Sequence, residues 1–253
     1  MKLQGEQRST KGRNSVMGLT YAIGDIHGRH DLLITLLETI ERHADQQPYR
    51  LVFLGDYIDR GPDSAKVVAS VRELQGASPD NVICLKGNHE DMLLQAIGRP
   101  LGTYSWIENG GDAAMASWGV EEPFDIPLDV LAWMEELPTL WEDDKRYFVH
   151  AGLYPGLDIS RQTHQYKLWI RDKFLDSDFD FGKHVVHGHT PDRGGPQLFG
   201  NRTNLDTGAV FGGPLTAGVF NNEQGGPIAI IQARADGAVV KPLGFKPKQQ
   251  PNR

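Results

Sequence analysis

Three apolar, β-branched runs, Leu19 to Ile23, Leu51 to Leu54 and Val82 to Leu85, each end in a short polar turn and then give way to a helical pattern. Continuous apolar runs of this length read as strands buried on both faces, as in a parallel sheet. Over His30 to His43, Leu32, Leu33, Leu36, Leu37 and Ile40 recur at helical spacing, which predicts an amphipathic helix covering one sheet face. Ser64 to Gln75 repeats the pattern with Asp63 or Ser64 as N-cap. Asn88 is placed to cap a third helix through Ile97, with Glu90 and Asp91 in its first turn, where the helix dipole favours acids. This alternation makes βαβ units and an α/β fold whose sheet is at least partly parallel. The polar turns then lie at the carboxyl ends of strands, where such sheets carry their chemistry.

Those turns read Gly24-Asp25-Ile26-His27-Gly28, Gly55-Asp56-Tyr57-Ile58-Asp59-Arg60-Gly61 and Gly87-Asn88-His89-Glu90. Glycine lets the backbone turn sharply or approach a ligand, while Asp, His and Asn supply oxygen and nitrogen donors for a divalent metal. Two later short strands, Tyr147 to Val149 and Val185 to Val186, end in His150-Ala151-Gly152 and His187-Gly188-His189-Thr190. A single Gly-Asp after a strand is ordinarily only a turn. Five strand ends that each present metal-type donors are different, because nothing about folding requires that coincidence.

Between about Tyr104 and Leu140, Trp106, Met115, Trp118, Leu131, Trp133 and Met134 stand among charges and a Gly-Gly, which predicts a small helical insertion with these side chains in its core. The last part turns to Gly-rich turns and short β-type runs, Thr216 to Phe220, Pro227 to Gln232 and Ala238 to Val240. These are expected to form an antiparallel second sheet packed on the first. No internal repeat or low-complexity linker interrupts the pattern. The expected organisation is a disordered N-terminal arm (1–18), one domain (19–245) and a flexible tail (246–253), with Met17 a candidate alternative start.

At 253 residues the chain is long enough for one large domain with a full core. A net charge of -7 supplies no global basic field, so nucleic acid is not an expected partner. The single cysteine, Cys84, excludes an intrachain disulfide framework and fits a reducing compartment. It sits in an apolar run and reads as core, and no arginine-closed phosphate loop follows it, so a cysteine-nucleophile phosphatase is disfavoured. No apolar stretch approaches the ~20 residues that span a bilayer, and the polar start lacks a signal-peptide core. A cytoplasmic location is expected.

With these motifs in hand, the chain resembles the phosphoprotein phosphatases of the calcineurin-like metallophosphoesterase superfamily, and in particular the small bacterial and phage serine/threonine protein phosphatases. The resemblance runs from Leu19 to near Thr216. It implies a two-sheet mixed β-sandwich flanked by helices and a centre of two divalent ions, with manganese expected and iron, zinc or nickel also suited to the donors. Carried over by position, Asp25 and His27 would bind the first ion, Asp56 would bridge, and Asn88, His150 and His189 would complete the second. His187 would be a neighbour rather than a ligand. Hydroxide held between the ions would attack phosphorus in line, with Arg60 and Arg171 clamping the phosphoryl oxygens. His89 would protonate the leaving oxygen, with Asp59 holding its ring and favouring its charged form. Asn109-Gly110-Gly111-Asp112 and Asp206-Thr207-Gly208-Ala209-Val210 also resemble family segments, one bordering the substrate groove and the other lining the site floor.

Two features bear on the substrate. Dinucleoside polyphosphate hydrolases of this superfamily typically lack the acid that orients the histidine and carry Asp after Asn-His, whereas this chain has Asp59 and Glu90. Phosphodiesterase relatives end in Gly-His-x-His, and here that last position is Pro191. The resemblance therefore implies hydrolysis of phosphomonoesters, on phosphoserine and phosphothreonine in proteins and with phosphotyrosine or a small phosphomonoester as further candidates. A dinucleoside polyphosphate hydrolase or nucleotide phosphatase is the alternative, and a catalytically quiet phosphopeptide-binding protein a third.

Overall fold

A computed structural model describes residues 18–243. The expected arm, apart from Gly18, and the expected tail lie outside the described residues. The first half alternates as its periodicity requires: β1 (Leu19–Ile23), α1 (His30–Ala44), β2 (Tyr49–Phe53), α2 (Ser64–Ala77), β3 (Val82–Cys84) and α3 (Asn88–Ala96). The insertion follows as α4 (Pro100–Trp106), a turn (Ile107–Gly111) kinked at Gly110, α5 (Asp112–Trp118) and α6 (Leu128–Glu136). Then come β4 (Leu140–Glu142), β5 (Arg146–Val149), α7 (His164–Trp169), α8 (Asp172–Leu175), β6 (His184–His187), β7 (Gln197–Leu198) and β8 (Arg202–Asn204). The strands β9 (Leu215–Phe220), β10 (Ala229–Arg234) and β11 (Gly237–Pro242) close the described chain.

Two mixed sheets result, with strand orders β11-β10-β9-β1-β2-β3 and β4-β5-β6-β8-β7. The side-chain period of two divides each central strand between two cores. Tyr21, Ile23, Leu51 and Phe53 face the helices together with Leu32, Leu33, Leu36 and Ile40 of α1. Ala22, Val52 and Leu54 face the second sheet, where Phe148, Val186, Leu205 and Phe220 meet them. Val149, Val185 and Ala151 pack on Phe174 and Ile170 on the far side of that sheet.

The C-terminal strands correct one expectation. They do not form the second sheet: β9 pairs antiparallel with β1, from Thr20↔Phe220 to Ile23↔Ala217, and β10 and β11 extend the first sheet beyond it. All six residues of β9 are buried. A strand buried on both faces belongs inside a sheet, and the edge of β1 not taken by β2 offers that place. The second sheet is built instead around the short strands β5 and β6.

Among the described residues no helix is long and apolar enough to cross a membrane.

Candidate metal and phosphoester site

The loops after β1, β2, β3, β5 and β6 converge, and backbone bonds tie them together. The amides of Ile26 and His27 both donate to Asp56 O, at 3.0 and 2.9 Å, which joins the first loop to the second. Gly188 N donates to His150 O at 2.8 Å, and His189 N donates to the Asp25 carboxylate at 3.1 Å to either oxygen. The second and third loops approach so closely that a Cβ on Gly55 would lie 2.4 Å from Gly87 N, and Gly55 holds φ 99°. Only glycine fits there.

Glu90 fastens the same junction. Its buried carboxylate accepts the amides of Asp56 (3.0 Å), Tyr57 (2.8 Å) and Gly87 (2.9 Å). Gly87 occupies the N-cap position of α3, so the expected capping role of Asn88 is not observed. The Asn88 side chain turns into the site instead. Among the described residues seven non-glycines have positive φ, and five of them, His27, Asp56, Asp59, Arg60 and His189, are expected site residues with φ between 46° and 74°. Such conformations cost about 1–3 kcal/mol each and persist where surrounding structure enforces them.

Two groups of donors lie with their atoms within 4.8 Å of one another: His27, Asp56 and His89, and Asp56, His150 and His189. Asp56 belongs to both, as a bridging carboxylate should. The tautomers tell what the groups can hold. His150 Nδ1–H donates to Leu54 O at 2.9 Å, which leaves Nε2 as a lone pair 2.7 Å from Asn88 Oδ1 and 3.4 Å from Asp56 Oδ1. His27 Nδ1–H donates to Ile58 O at 2.8 Å, and its Nε2 lone pair lies 3.4 Å from Asp56 Oδ2. Burial, then nearby arginines, pushes both imidazoles down to about 3, so neither gains a second proton near neutrality. Unprotonated ring nitrogens beside carboxylate and amide oxygens fit a cation. His189 adds Nδ1 at 2.8 Å from Asn88 Oδ1, and its buried Nε2 has no partner among the described residues.

Asp25 lies at the border of this cluster rather than within either group, beside Asp206. Burial first, then Asp206 and Asp56, raises its carboxyl well above the usual range. Asp56 is raised as well, by burial and then by Glu90. Arg60 offsets only part of this crowding, and a divalent ion would supply further counter-charge. Asp206 is a site residue that the sequence pointed to only as part of a floor segment; burial raises it to about 6.

The expected proton-transfer pair is assembled. His89 Nδ1 lies 2.6 Å from Asp59 Oδ2, and its Nε2 faces the cluster, 4.0 Å from Asp56 Oδ2. Burial, then His27 and Arg60, holds His89 well below the ordinary imidazole range, and burial, then Glu90, raises Asp59 well above that of carboxylates.

Trp106, expected only as core, takes part: its indole N–H donates to the same Asp59 oxygen at 2.9 Å. The Gly110-Gly111 turn explains how. A Cβ on Gly111 would meet the Trp106 ring at 2.4 Å, and Gly110 O accepts the Arg60 amide at 3.0 Å. The insertion thus holds Asp59 and Arg60 from one turn. An indole three residues before Asn109-Gly110-Gly111 was the available signal, but its partner is 47 positions away.

Arg60 Nη1 donates to His27 Nε2 at 2.7 Å, and its guanidinium lies over the Phe211 ring. Arg171 sits between α7 and α8 rather than within a helix, near enough to depress His150 and His189. His187 faces away from the cluster, edge-on to Phe174 and 3.5 Å from Arg202 Nη1.

A two-sheet sandwich whose strand ends gather carboxylate, amide and imidazole donors around one shared carboxylate, Asp56, defines a class, the metal-dependent phosphoester hydrolases. Comparison with known proteins is consistent with it. The chain belongs to the calcineurin-like phosphoesterase family, whose model matches residues 19–215. It is 33% identical over 204 residues to serine/threonine-protein phosphatase 1 of Salmonella typhimurium, covering 78% of this chain and 89% of that one. It is 29% identical over 221 residues to the asymmetrical bis(5'-nucleosyl)-tetraphosphatase PrpE of Anoxybacillus flavithermus, covering 77% and 87%. Among solved structures, the cold-active protein-tyrosine phosphatase of a psychrophilic Shewanella shares the fold, with a TM-score of 0.59, 19% identity and 89% and 80% coverage.

Proposed function

We propose that this chain is a metal-dependent phosphomonoesterase acting on phosphoserine and phosphothreonine in proteins. The observation that carries the reading is the 2.6 Å contact between Asp59 and His89, with His89 Nε2 facing the donor cluster. An alkoxide leaving from phosphoserine is a strong base and needs a proton in the transition state, whereas a nucleotide phosphate leaving from a polyphosphate is a weak base and does not. A buried, oriented acid is therefore of most use to a monoesterase. The similarity to a named serine/threonine-protein phosphatase supports the same choice. The similarity to PrpE keeps hydrolysis of bis-nucleosyl tetraphosphates as the second reading.

Asp25, His27 and Asp56 would hold one divalent ion, and Asp56, Asn88, His150 and His189 the other. Manganese is the proposed metal. When bound, such ions supply Lewis acidity and a nucleophile at neutral pH. Arg60 would exchange its contact with His27 for phosphoryl oxygens, and Arg171 would approach from the opposite loop, each guanidinium pairing two oxygens. His89 would protonate the leaving oxygen through Nε2 while Asp59 holds its ring through Nδ1. Trp106 keeps the accepting oxygen of Asp59 in place.

The test is a manganese-reconstituted preparation assayed on a phosphopeptide panel and on bis-nucleosyl tetraphosphates. Higher kcat/KM on phosphopeptides is expected. A preference of about a hundredfold or more for the dinucleotide would overturn the substrate assignment.

A further inference from the structure

We propose that a basic groove beside Phe211 is a subsite for acidic residues flanking the phosphorylated residue of a peptide substrate. The inference rests on the phosphopeptide reading above and adds a specificity to it.

The groove, about 220 Å3, opens where the edges of the two sheets meet, between the loop before β7 and the β10–β11 hairpin. Arg193, Arg234 and Lys241 line it over a floor of Ile230, Leu198 and Gln232, and no carboxylate does. In a chain of net charge -7 this is a local reversal of sign. Asp192, beside Arg193, is spent on its own loop, accepting Gly194 N at 2.8 Å and Gln197 Nε2 at 2.9 Å. Asp236 lines the adjoining cleft, which shares Gln232, Arg234 and Lys241 with the groove. Among the described residues none of the three cations has an ion-pair partner.

Two of the cations, Lys241 and Arg193, have fixed contacts. Lys241 Nζ donates to Gln232 Oε1 at 2.9 Å, and the buried Gln232 donates to Thr216 Oγ1 at 3.1 Å, which in turn meets Thr207 Oγ1 at 2.6 Å beside the site floor. Arg193 connects the groove to the phosphate site. Its guanidinium and that of Arg60 lie 5.4 and 5.5 Å from the centroid of the same Phe211 ring, so they stand no more than about 11 Å apart. At ~3.4 Å per residue, an extended peptide spans that in about three residues. Phe211 itself is 43% exposed.

Charge selects the occupant. Residues 244–253 carry Lys246, Lys248 and Arg253 and no acid, and residues 1–17 carry Lys2, Arg8, Lys11 and Arg13 against Glu6, so both termini repel the groove. An acidic flank on a substrate peptide complements it.

The full-length, manganese-loaded protein is assayed on phosphopeptides of one core sequence with acidic, neutral or basic residues on either flank. Acidic flanks on one side should raise kcat/KM, mainly through KM, by up to about fivefold for each carboxylate engaged, and less at high salt. Arg234→Glu with Lys241→Glu should abolish or invert that preference and leave kcat/KM on the neutral peptide and on 4-nitrophenyl phosphate unchanged. The neutralising pair Arg234→Gln with Lys241→Gln gives the same reading should charge reversal disturb folding. Equal rates on all flanks, or a preference that survives in both variants, overturns the subsite while leaving the phosphatase reading standing. Failure to hydrolyse any phosphopeptide overturns both.

Discussion

Replacing Glu90 by Gln isolates how far one buried carboxylate organises the metal loops. Oε2 takes the amides of Asp56 and Gly87 and Oε1 that of Tyr57, at 2.8 to 3.0 Å, and the residue is fully buried. Glutamine preserves the shape but presents one oxygen and one NH2 group. Whichever way the amide turns, at least one backbone N–H faces another donor, and the remaining bonds lose their charge. An unsatisfied buried donor costs ~1–3 kcal/mol and each charge-assisted bond exceeds a neutral one by up to about 1 kcal/mol, so Glu90→Gln should lose about 3 kcal/mol. For a chain of this size that lowers Tm by about 6–12 °C. Urea unfolding with and without manganese measures it. Because the lost bonds position Asp56, the metal-loaded protein should lose at least as much stability as the metal-free one, and the apparent metal affinity should fall. A loss under about 0.5 kcal/mol with unchanged metal affinity would refute the reasoning, since it would mean that the three amides find other acceptors.

Trp106→Phe removes only the indole donor to Asp59; kcat should fall ~10-fold or more on phosphoserine peptides and little on 2,4-dinitrophenyl phosphate, whose leaving group needs no proton, and equal losses on both would show a general distortion instead. His89→Asn should keep metal bound and lower kcat by about 10²–10⁴-fold, whereas Asp56→Asn should lower metal occupancy, so elemental analysis showing the reverse order would sink these roles. The pH dependence of the metal-free protein follows from opposing shifts. The depressed histidines add stability as pH rises toward their unfolded value near 6.5, and nothing beyond it. The raised carboxyls of Asp25, Asp56 and Asp59 contribute stability below their unfolded value and lose it as pH rises through their folded one. The histidine contribution is therefore complete above pH ~6.5, and any further change in Tm of the metal-free protein as pH rises should be a fall that manganese reverses; calorimetry in chelator against added metal checks this.

The parts legible in the sequence were those whose signal is local. A strand, a glycine turn and a donor lie within a few residues of one another, so Asp25, His27, Asp56, Asn88, His150 and His189 could be picked out and their convergence expected from the habit of parallel strands to end on one side. Glu90 was visible for its identity, not for its work: its bonds to Asp56 and Tyr57 span more than thirty positions. Trp106 and Asp206 read as core and floor because nothing near them in the chain names their partners.

By itself, then, the sequence determined the α/β alternation and the donors at the strand ends, because periodicity and turn chemistry act over short range; the pairing of Asp59 with His89, 30 positions apart, was implied only by the family resemblance. Tertiary structure alone decided that the C-terminal strands join the first sheet, that the insertion holds Asp59 through Trp106 and Arg60 through Gly110, and that Arg193 and Arg60 meet the same Phe211 ring. Each of those outcomes depends on which surfaces find burial against each other, and burial is settled only when the whole chain has packed.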